Sequence, residues 1–361
     1  MTVSAPALYL AGVGSVGTAF LHRLARLGTA AGQLIGACTT RGALWRETGL
    51  SPEDVLRDGT GTAPPNWRQI SEDLLSLART GRPVVFADAT SSSDIAREYL
   101  RLLDGGVRVV TASKHANTFE QSYFDALLRA SAEGTRYRYE TTVGAALPAV
   151  QTVRDLRASG DTIERVECSP SGTLTFVMDQ LSGGTPFSAA VLDARAKGYA
   201  EPDVRDDLSG EDVVRKLMIL ARTAGYRVER DEVKVEPLLP PEFAQFSTGE
   251  VAARLPDLDD AWAARIFGAE SRGRVLRYVG RLEDGRIRVG VEEVAAESAL
   301  GSLSGTDNVF VFRTERYGSR AITISGPGAG ADVTAGGVLA DVRTVLASAR
   351  AKTPADLARA A

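Results

Sequence analysis

Short apolar runs alternate with amphipathic segments along the first part of the chain, up to about residue 140. Five apolar runs are predicted to be strands: Ala7–Ala11, Leu34–Cys38, Val84–Ala87, Val107–Ala112 and Tyr137–Tyr139. The amphipathic segments between them are predicted to be helices: Phe20–Leu27, Trp67–Ala78, Ile95–Leu103 and Phe124–Ala130. Because buried strands that alternate with helices form parallel sheets covered on both faces, the pattern predicts an α/β domain.

The pattern changes at Pro148, a residue that suits the first turn of a helix. The next predicted elements are a strand and two helices, at Ile163–Cys168, Phe187–Lys197 and Glu211–Ala224. The apolar runs Val275–Leu282 and Arg288–Val294 then flank Asp284-Gly285, a typical hairpin turn. Helices combined with a hairpin indicate a second, α+β domain on a mixed or antiparallel sheet.

The end of the chain returns to strands followed by a helix. Strands are predicted at Val309–Thr314 and Ala321–Ile324, and a helix at about Val333–Ala349. We expect this helix to dock back onto the N-terminal domain. Residues 1–143 and 321–361 are therefore expected to form one domain, and residues 144–320 the other.

Composition limits the classes of function. The 361 residues are 44% hydrophobic and carry a formal net charge of −4 that is spread along the chain, which argues against nucleic-acid binding. The two cysteines, Cys38 and Cys168, and the two histidines belong to no metal-ligand cluster. The chain shows neither a signal-peptide pattern at its start nor an apolar stretch of about eighteen residues. We expect a soluble, cytoplasmic protein that does not bind a membrane.

A glycine-rich turn separates the first strand from the first helix, with the sequence Gly12-Val13-Gly14-Ser15-Val16-Gly17. In such a turn the first glycine permits the sharp bend and the second lets a pyrophosphate approach the backbone, while the third lets helix and strand pack closely. The helix N-terminus offers N–H groups and positive partial charge to the phosphates. Because strand, turn and helix occur together, the motif predicts a Rossmann-type domain that binds a dinucleotide.

The end of the second strand indicates which dinucleotide binds. A site for NAD usually has an acidic residue about twenty residues after the glycines, to hold the ribose diol. This chain has Cys38-Thr39-Thr40-Arg41 there, and Thr40 and Arg41 are suited to a 2′-phosphate. The alternative is that Arg41 is only a solvated loop residue. The residues favour NADP, and NAD stays open.

The segment from Gly198 to Lys216 combines acids with a helix. It contains these acidic residues: Glu201, Asp203, Asp206, Asp207, Glu211 and Asp212. A solvated acidic loop is one explanation, and Ser209 and Asp212 also have the spacing of a capping box. However, Asp212 and Lys216 stand four residues apart and share one helix face. A lysine beside several acids can serve as a proton donor while the acids bind a substrate ammonium group.

This segment resembles the signature region of homoserine dehydrogenases, through Gly-Tyr-Ala-Glu-Pro-Asp (198–203), Arg-Asp-Asp-Leu-Ser-Gly (205–210) and Asp-Val-Val-Arg-Lys-Leu (212–217). Residues 88–92, 112–117, 140–148 and 326–335 resemble further segments of the same family, in the same order. The resemblance implies an enzyme of threonine, methionine and isoleucine biosynthesis. Such an enzyme interconverts L-aspartate 4-semialdehyde and L-homoserine by hydride transfer with a nicotinamide cofactor.

The resemblance also assigns roles to matching residues. Lys216 would donate a proton to the carbonyl oxygen, and Lys114 would lie beside nicotinamide and substrate as a second catalytic or polarising group. Glu201 and Asp212 would hold the substrate amino group, with Asp207 close by. Besides residues 12–17 and Arg41, the cofactor contacts would be Ala89, Thr90, Ser91, Lys114, Gly198, Gly330 and Thr334.

Further features follow from the resemblance alone. A monovalent cation, Na or K, would bind largely to backbone carbonyls at Glu140, Val143, Ala145 and Leu147. The second domain would bind substrate and form a homodimer, in a short form without a regulatory ACT domain. The chain departs from the family at Ala89, where asparagine is frequent, and at Ser169-Pro170, where apolar residues are usual. These departures concern cofactor affinity and strand geometry more than the reaction.

Two other functions stay open from the sequence. The same scaffold would serve an NADP-dependent dehydrogenase of another small amino-acid semialdehyde, and Glu201 and Asp212 restrict that choice to substrates with an ammonium group. A catalytically silent nucleotide-binding or scaffold protein is the other alternative, against which Lys114 and Lys216 argue. His115 is expected to be a loop histidine without a catalytic role.

Overall fold

The computed structural model describes residues 5–132 and 134–350. The chain divides into two compact units, the first extending to Ala146 and resuming at Ala329, the second comprising Leu147–Gly328. The boundaries expected from the sequence lie after residues 143 and 320, and the expected role of each unit stays a prediction.

The first unit contains a six-stranded sheet. Its strands are β1 (Ala7–Ala11), β2 (Gln33–Cys38), β3 (Ala43–Trp45), β4 (Val84–Asp88), β5 (Arg108–Thr111) and β6 (Tyr137–Arg138). Their order is β3-β2-β1-β4-β5-β6, and every pair is parallel except β2 with β3. The predicted parallel sheet is confirmed, and the antiparallel edge strand β3 is an addition that the sequence pattern did not indicate.

Helices follow most of these strands. They are α1 (Ser15–Leu27), α2 (Pro52–Asp58), α3 (Trp67–Arg79), α4 (Ser93–Arg97), α5 (Tyr99–Asp104), α6 (His115–Thr118) and α7 (Gln121–Ala130). The single helix predicted over Ile95–Leu103 is wrong, because α4 and α5 are separate. The N–H of Glu98 donates to Ile95 O, three residues back, and this tighter turn interrupts the α-helical hydrogen bonds.

The second unit contains a mixed sheet with helices. Its helices are α8 (Ala149–Ala158), α9 (Gly172–Ser182), α10 (Phe187–Ala196), α11 (Val204–Leu208), α12 (Glu211–Thr223), α13 (Thr248–Arg254) and α14 (Asp259–Glu270). Its strands are β7 (Ile163–Ser169), β8 (Lys234–Val235), β9 (Arg274–Glu283), β10 (Arg286–Ala295), β11 (Asp307–Thr314) and β12 (Ile322–Pro327). The order is β12-β11-β7-β9-β10-β8, antiparallel except for the β8–β10 pair.

The β9–β10 hairpin turns at the predicted position. Asp284 has φ 50° and Gly285 has φ 74°, and two successive positive φ angles match the twist of a two-residue hairpin. Helix α9 was not predicted. Because most of its residues are buried, it lacks the one-sided apolar stripe by which a helix is recognised in a sequence.

The chain returns to the first unit through α15 (Ala331–Arg350), which packs against α1, β4 and β5. The predicted return segment began at residue 321, whereas β12 pairs with β11 from Asp307↔Pro327 to Phe312↔Ile322 and so belongs to the second sheet. Residues 351–361, which the sequence analysis placed in the first domain, lie outside the described residues.

The core of the first unit positions the loops at one edge of its sheet. Leu10, Phe20, Val85 and Val338 belong to one buried cluster that joins β1, α1, β4 and α15. The carboxyl ends of β1, β4 and β5 meet at the same edge, and β1 lies between β2 and β4, where the strand order reverses. Ligands of such sheets bind at this edge. Within residues 5–132 and 134–350, no helix is both long and apolar enough to cross a membrane.

Candidate active site

Two glycines of the first turn are required by backbone geometry. Gly12 has φ 92°, and a Cβ there would lie 2.8 Å from the carbonyl oxygen of Ala89. The N–H groups of Gly12 and Val13 both donate to Cys38 O at 3.0 Å. A Cβ at Gly17 would lie only 1.9 Å from Gly12 O. Any side chain at Gly12 or Gly17 would therefore push the turn apart.

Gly14 has a different role, because a Cβ added there would meet no atom within 4 Å. Gly14 and Ser15 are exposed, and α1 begins at Ser15 without a side-chain cap. The first N–H groups of α1 therefore have no side-chain cap and can serve a bound anion. The turn Gly12–Gly17 fits the pyrophosphate of a dinucleotide, with the space at Gly14 left for it.

The turn between β2 and β3 carries the residues expected at the cofactor ribose. Thr39 Oγ1 accepts hydrogen bonds from the N–H groups of Arg41 at 3.2 Å and Gly42 at 3.3 Å. This closes a tight turn on which Thr40 and Arg41 are both exposed. The guanidinium of Arg41 is therefore available to a phosphate, which is the chemistry that the sequence predicted for NADP.

The loops after β4 and β5 contain further predicted cofactor residues. The N–H of Thr90 donates to the buried carboxyl of Asp88 at 2.7 Å, and Ala89 N–H donates to Ala11 O at 2.8 Å. Burial raises the pKa of Asp88 to about 6, against the opposing effect of its hydrogen bonds from Tyr99 and Thr90. Ala89, Thr90 and Ser91 thus directly follow a strand end that is held in place by these buried hydrogen bonds.

Lys114 lies in the loop after β5, immediately before α6, and is half-buried. Its carbonyl oxygen accepts from Asn117 N at 3.1 Å and from Thr118 Oγ1 at 3.1 Å. The next residue, His115, places Nε2 3.0 Å from Ser91 O, so its ring connects this loop to the loop after β4. The sequence analysis did not predict this link.

The C-terminal residues of the first unit, Gly330 and Thr334, also come together. Thr334 donates to Gly330 O through its N–H at 2.9 Å and through its hydroxyl at 2.8 Å. Gly330 has φ 118°, a conformation open to glycine. Asp332, in the same turn of α15, accepts two hydrogen bonds from Arg23 of α1, at 2.9 and 2.6 Å. The start of α15 is therefore tied to α1.

In the second unit, Lys216 is fixed by two acceptors. Its Nζ donates to Pro170 O at 2.6 Å and pairs with Asp212 Oδ2 at 2.7 Å. The Lys216 side chain is 12% exposed and the Asp212 side chain 44%. The capping-box interpretation of Asp212 is wrong, because Gly210 (φ 75°) caps α12 and makes no side-chain cap bond. The Asp212 carboxylate pairs with the lysine instead.

A second carboxyl group, Asp207, organises the acidic segment. Its Oδ1 accepts from Thr173 Oγ1 at 3.0 Å and its Oδ2 from Glu201 N at 2.8 Å. The single Thr173 hydroxyl proton is shared between Asp207 Oδ1 and Tyr199 O. Burial raises the pKa of Asp207, and the nearby negative charges of Asp212 and Asp206 add to this.

Thr173 is a site residue that sequence reasoning missed, although it lies three residues after Pro170, which the resemblance singled out as a departure from the family. Glu201 joins the cluster through its backbone, since its side chain is exposed. Gly198 ends the turn after α10 with φ 71° and is also exposed. The structure therefore pairs Lys216 with Asp212, places Asp207 near enough to Asp212 for their charges to interact, and leaves the Glu201 carboxylate and Gly198 at the surface of this unit.

The predicted cation ligands lie on both sides of the division between units. Glu140 and Val143 form a 3-10 turn in which Val143 N–H donates to Glu140 O at 3.2 Å, and Ala145 has φ 53°. Leu147 starts the other unit, and its carbonyl accepts from Ala149 N at 2.7 Å. The part of the chain that the structure describes contains no group of three His, Cys, Asp or Glu side chains able to hold a metal ion. A site of backbone carbonyls stays a prediction.

Taken separately, the two units contain the two kinds of site that a hydride-transfer enzyme needs, a cofactor site and a proton donor. One has a dinucleotide turn on a parallel sheet, and the other has a nearly buried lysine paired with a carboxylate. This combination defines the class of nicotinamide-dependent oxidoreductases.

Comparison with known protein families narrows the class. A model described as "Homoserine dehydrogenase, NAD binding domain" matches residues 12–140, and one described as "Homoserine dehydrogenase" matches residues 148–342. The chain therefore belongs to the homoserine dehydrogenase family, whose members are oxidoreductases.

Similar proteins agree with this assignment. A homoserine dehydrogenase of Emericella nidulans is 38% identical over 95% of this chain and 99% of its own length. A bifunctional aspartokinase/homoserine dehydrogenase of Haemophilus influenzae is 37% identical over 94% of this chain, but this chain spans only 42% of that protein.

Solved structures show the same fold. A protein of unknown function from Candida auris aligns with a TM-score of 0.89 and 31% identity, covering 95% of this chain and 99% of its own. A hyperthermophilic archaeal homoserine dehydrogenase, solved in complex with NADPH, aligns with a TM-score of 0.72 and 20% identity over 97% of this chain and 98% of its own.

Proposed function

We propose that this protein interconverts L-aspartate 4-semialdehyde and L-homoserine with NADP as the cofactor. The observation that carries this proposal is the arrangement of hydrogen bonds at Lys216. An ammonium group has three N–H donors. Two of them are directed to Pro170 O and Asp212 Oδ2, which leaves one for the oxygen of a substrate.

The remaining donor suits the charge that develops in the reaction. Nicotinamide, when bound, supplies or accepts the hydride at the carbon of the substrate. As hydride arrives at the aldehyde carbon, negative charge develops on its oxygen, and the Lys216 ammonium stabilises that charge and delivers a proton. Asp212 pairs with the ammonium group at 2.7 Å and fixes its direction. In the reverse direction the neutral amine takes the hydroxyl proton.

The acids around Lys216 suit an amino-acid substrate. Asp212 presents a carboxylate beside the lysine, Asp207 lies near enough to Asp212 for their charges to interact, and Glu201 presents a third carboxylate that is exposed in this unit. An ammonium group of the substrate would pair with these acids. Lys114, from the first unit, is proposed as the second polarising group.

The cofactor and the assembly are further parts of the proposal. Thr40 and Arg41 support NADP over NAD, because no carboxylate follows β2 to hold a ribose diol. We also propose a Na or K ion at Glu140, Val143, Ala145 and Leu147, and a homodimer formed through the second unit. A cytoplasmic location fits two buried cysteines that form no disulfide. The resemblance supports the biosynthetic role in threonine, methionine and isoleucine formation.

The direct test is a homoserine-dependent cofactor-reduction assay with NADP and NAD side by side. We expect reduction of NADP with homoserine and oxidation of NADPH with aspartate semialdehyde, with a lower kcat/KM for NAD. A panel of other small amino-acid semialdehydes provides the comparison. If aspartate semialdehyde gives no NADPH oxidation while another semialdehyde does, the alternative substrate assignment is correct and this one is wrong.

A further inference from the structure

One buried chain of hydrogen bonds supports both loops at the carboxyl edge of the first sheet. The Thr90 N–H donates to Asp88 Oδ1 at 2.7 Å, and the Tyr99 hydroxyl donates to Asp88 Oδ2. The hydroxyl oxygens of Tyr99 and Thr111 are hydrogen-bonded at 2.8 Å, and the Ser113 N–H donates to Thr111 Oγ1 at 2.9 Å. We call this set of residues, Thr90, Asp88, Tyr99, Thr111 and Ser113, the relay.

The direction of each proton in the relay follows from donor counting. A phenol has one proton, and that of Tyr99 is used by Asp88. When Asp88 is ionised, Thr111 therefore donates its proton to the Tyr99 oxygen at 2.8 Å rather than to the more distant Ser113 O at 3.4 Å, and its lone pairs accept from Ser113 N–H. Every donor in the relay points towards the carboxylate of Asp88. Hydrogen bonds aligned in this way polarise one another, so each strengthens the next.

The relay lies in the interior of the sheet edge. Asp88, Tyr99 and Thr111 are each 0% exposed and Ser113 is 4% exposed. The Tyr99 ring is packed between Phe86 and Tyr137, with centroid distances of 6.3 and 6.1 Å. Water cannot replace a lost partner in such a position, so removal of one hydroxyl leaves the neighbouring group unsatisfied.

The two ends of the relay are backbone N–H groups of different loops. Thr90 belongs to the loop after β4, and Ser113 to the loop after β5, directly before Lys114. The strands themselves pair at Asp88↔Thr111, where both loops begin. His115 adds a bond between the loops through Ser91 O at 3.0 Å. A shift of one loop is therefore transmitted to the other.

We propose that Asp88, Tyr99 and Thr111 are positioning residues that set the cofactor loop at Thr90-Ser91 and the lysine loop at Ser113-Lys114 as one unit. Cofactor binding to the first loop then fixes the backbone that carries Lys114. The role given to Lys114 rests on the proposed function, whereas the coupling of the loops does not. None of the three side chains contacts substrate or cofactor in this account.

The test removes hydroxyls from the relay and retains the carbon framework. Tyr99→Phe and Thr111→Val are made singly and together, Thr111→Ser is the conservative variant, and Tyr123→Phe is the matched control. The Tyr123 hydroxyl donates to a backbone carbonyl, Ala96 O, at 2.8 Å and does not belong to the relay. The readouts are the Kd of NADPH by fluorescence titration, kcat with homoserine, and Tm.

We expect Tyr99→Phe to raise the Kd of NADPH by about threefold to tenfold, and Thr111→Val to lower kcat by about tenfold, roughly the effect of one lost buried hydrogen bond. Because the relay acts as one unit, the two substitutions should not add. The rise in Kd and the fall in kcat of the double variant should each be no larger than in the more affected single variant. Thr111→Ser should retain kcat within about twofold of the unsubstituted protein, and Tyr123→Phe should match it in Kd and kcat.

Several results would overturn the inference. They are an unchanged Kd and kcat in Tyr99→Phe and Thr111→Val, losses that multiply in the double variant, or a Thr111→Ser variant as impaired as Thr111→Val. A lowered Tm with unchanged Kd and kcat would show a purely structural role. If the unsubstituted protein fails to turn over homoserine, the proposed function is wrong, and the Kd series still decides whether the relay positions the cofactor loop.

Discussion

Asp88 shows how burial changes the chemistry of a single side chain. Its pKa is raised to about 6 by burial, above the usual value of about 4 for aspartic acid. The folded protein therefore binds this proton more tightly than the unfolded chain. The resulting stabilisation is fully present at low pH and is lost as the pH rises through about 6, and a shift of about two units corresponds to about 3 kcal/mol at most.

Replacement of Asp88 by asparagine makes this effect measurable. Asp88→Asn loses the ionisable group. The Tm of the variant minus the Tm of the unsubstituted protein should therefore increase from about pH 5 to about pH 8. The adjacent Cys38 thiol and Tyr99 phenol stay neutral in this range, because burial raises the pKa of both. Thermal denaturation across the pH series is the measurement, and a pH-independent difference would show that Asp88 is ionised as in an exposed site.

Gly12 and Gly14, two glycines of the same turn, should respond differently to replacement by alanine. Gly12→Ala should lower the free energy of unfolding by about 1–3 kcal/mol, because φ is 92° and the new Cβ would lie 2.8 Å from Ala89 O. Gly14→Ala should leave stability nearly unchanged, since its Cβ meets nothing within 4 Å, and should weaken NADPH binding at least about tenfold. Denaturant unfolding and NADPH titration separate the two effects. Tight NADPH binding by Gly14→Ala would place the pyrophosphate elsewhere.

Among the helices and strands, the start of α12 depends on the close approach of Gly210 to β9. Gly210 has φ 75°, and a Cβ there would lie 1.9 Å from the hydroxyl oxygen of Tyr278. This hydroxyl donates to Glu236 O at 2.8 Å, so a movement away from Gly210 would strain or break that hydrogen bond. Asp212 and Lys216 stand in the first two turns of the same helix, and their positions depend on where α12 begins.

Gly210→Ala should therefore lower both Tm and kcat, with a loss of stability of about 2 kcal/mol or more from strain and overpacking. The double variant Gly210→Ala/Tyr278→Phe removes the nearest clashing atom and should recover part of the loss in kcat, while the positive φ keeps stability below that of Tyr278→Phe alone. No recovery in the double variant would mean that the hydroxyl of Tyr278 does not determine where α12 starts.

The elements that the sequence could predict are those with a regular pattern. The strands β1, β4 and β7, the helix α12 and the β9–β10 hairpin follow from apolar runs, helical periodicity and Asp-Gly, because each of these signals is local. The helix α9 and the break between α4 and α5 have no such signal. The first is buried on most sides, and the second depends on one hydrogen bond at Glu98.

The candidate site shows the same limit. Lys216, Asp212 and the glycine turn could be found from spacing and resemblance, since each lies within one short segment. The bond from Lys216 to Pro170 O, the link from Thr173 to Asp207 and the relay join positions far apart in the chain. A buried tyrosine such as Tyr99 has the sequence pattern of a core residue, and only the fold shows that its hydroxyl has polar partners.

For the whole molecule, we propose that the first unit binds the cofactor and that the second unit donates the proton. The family models match in this same order, residues 12–140 and then 148–342. If the two functions are separated in this way, substitution of Lys216 must lower turnover and leave cofactor binding intact. The two activities can therefore be measured separately in one protein.

The most direct measurement compares Lys216→Ala with Lys234→Ala for kcat in homoserine oxidation and for the Kd of NADPH. Lys234 is an exposed lysine of β8 in the same unit and serves as the matched control. We predict that Lys216→Ala lowers kcat by at least about a hundredfold with the Kd of NADPH changed by no more than about twofold, and that Lys234→Ala changes neither. Full turnover in Lys216→Ala would remove this lysine from the mechanism and contradict the account.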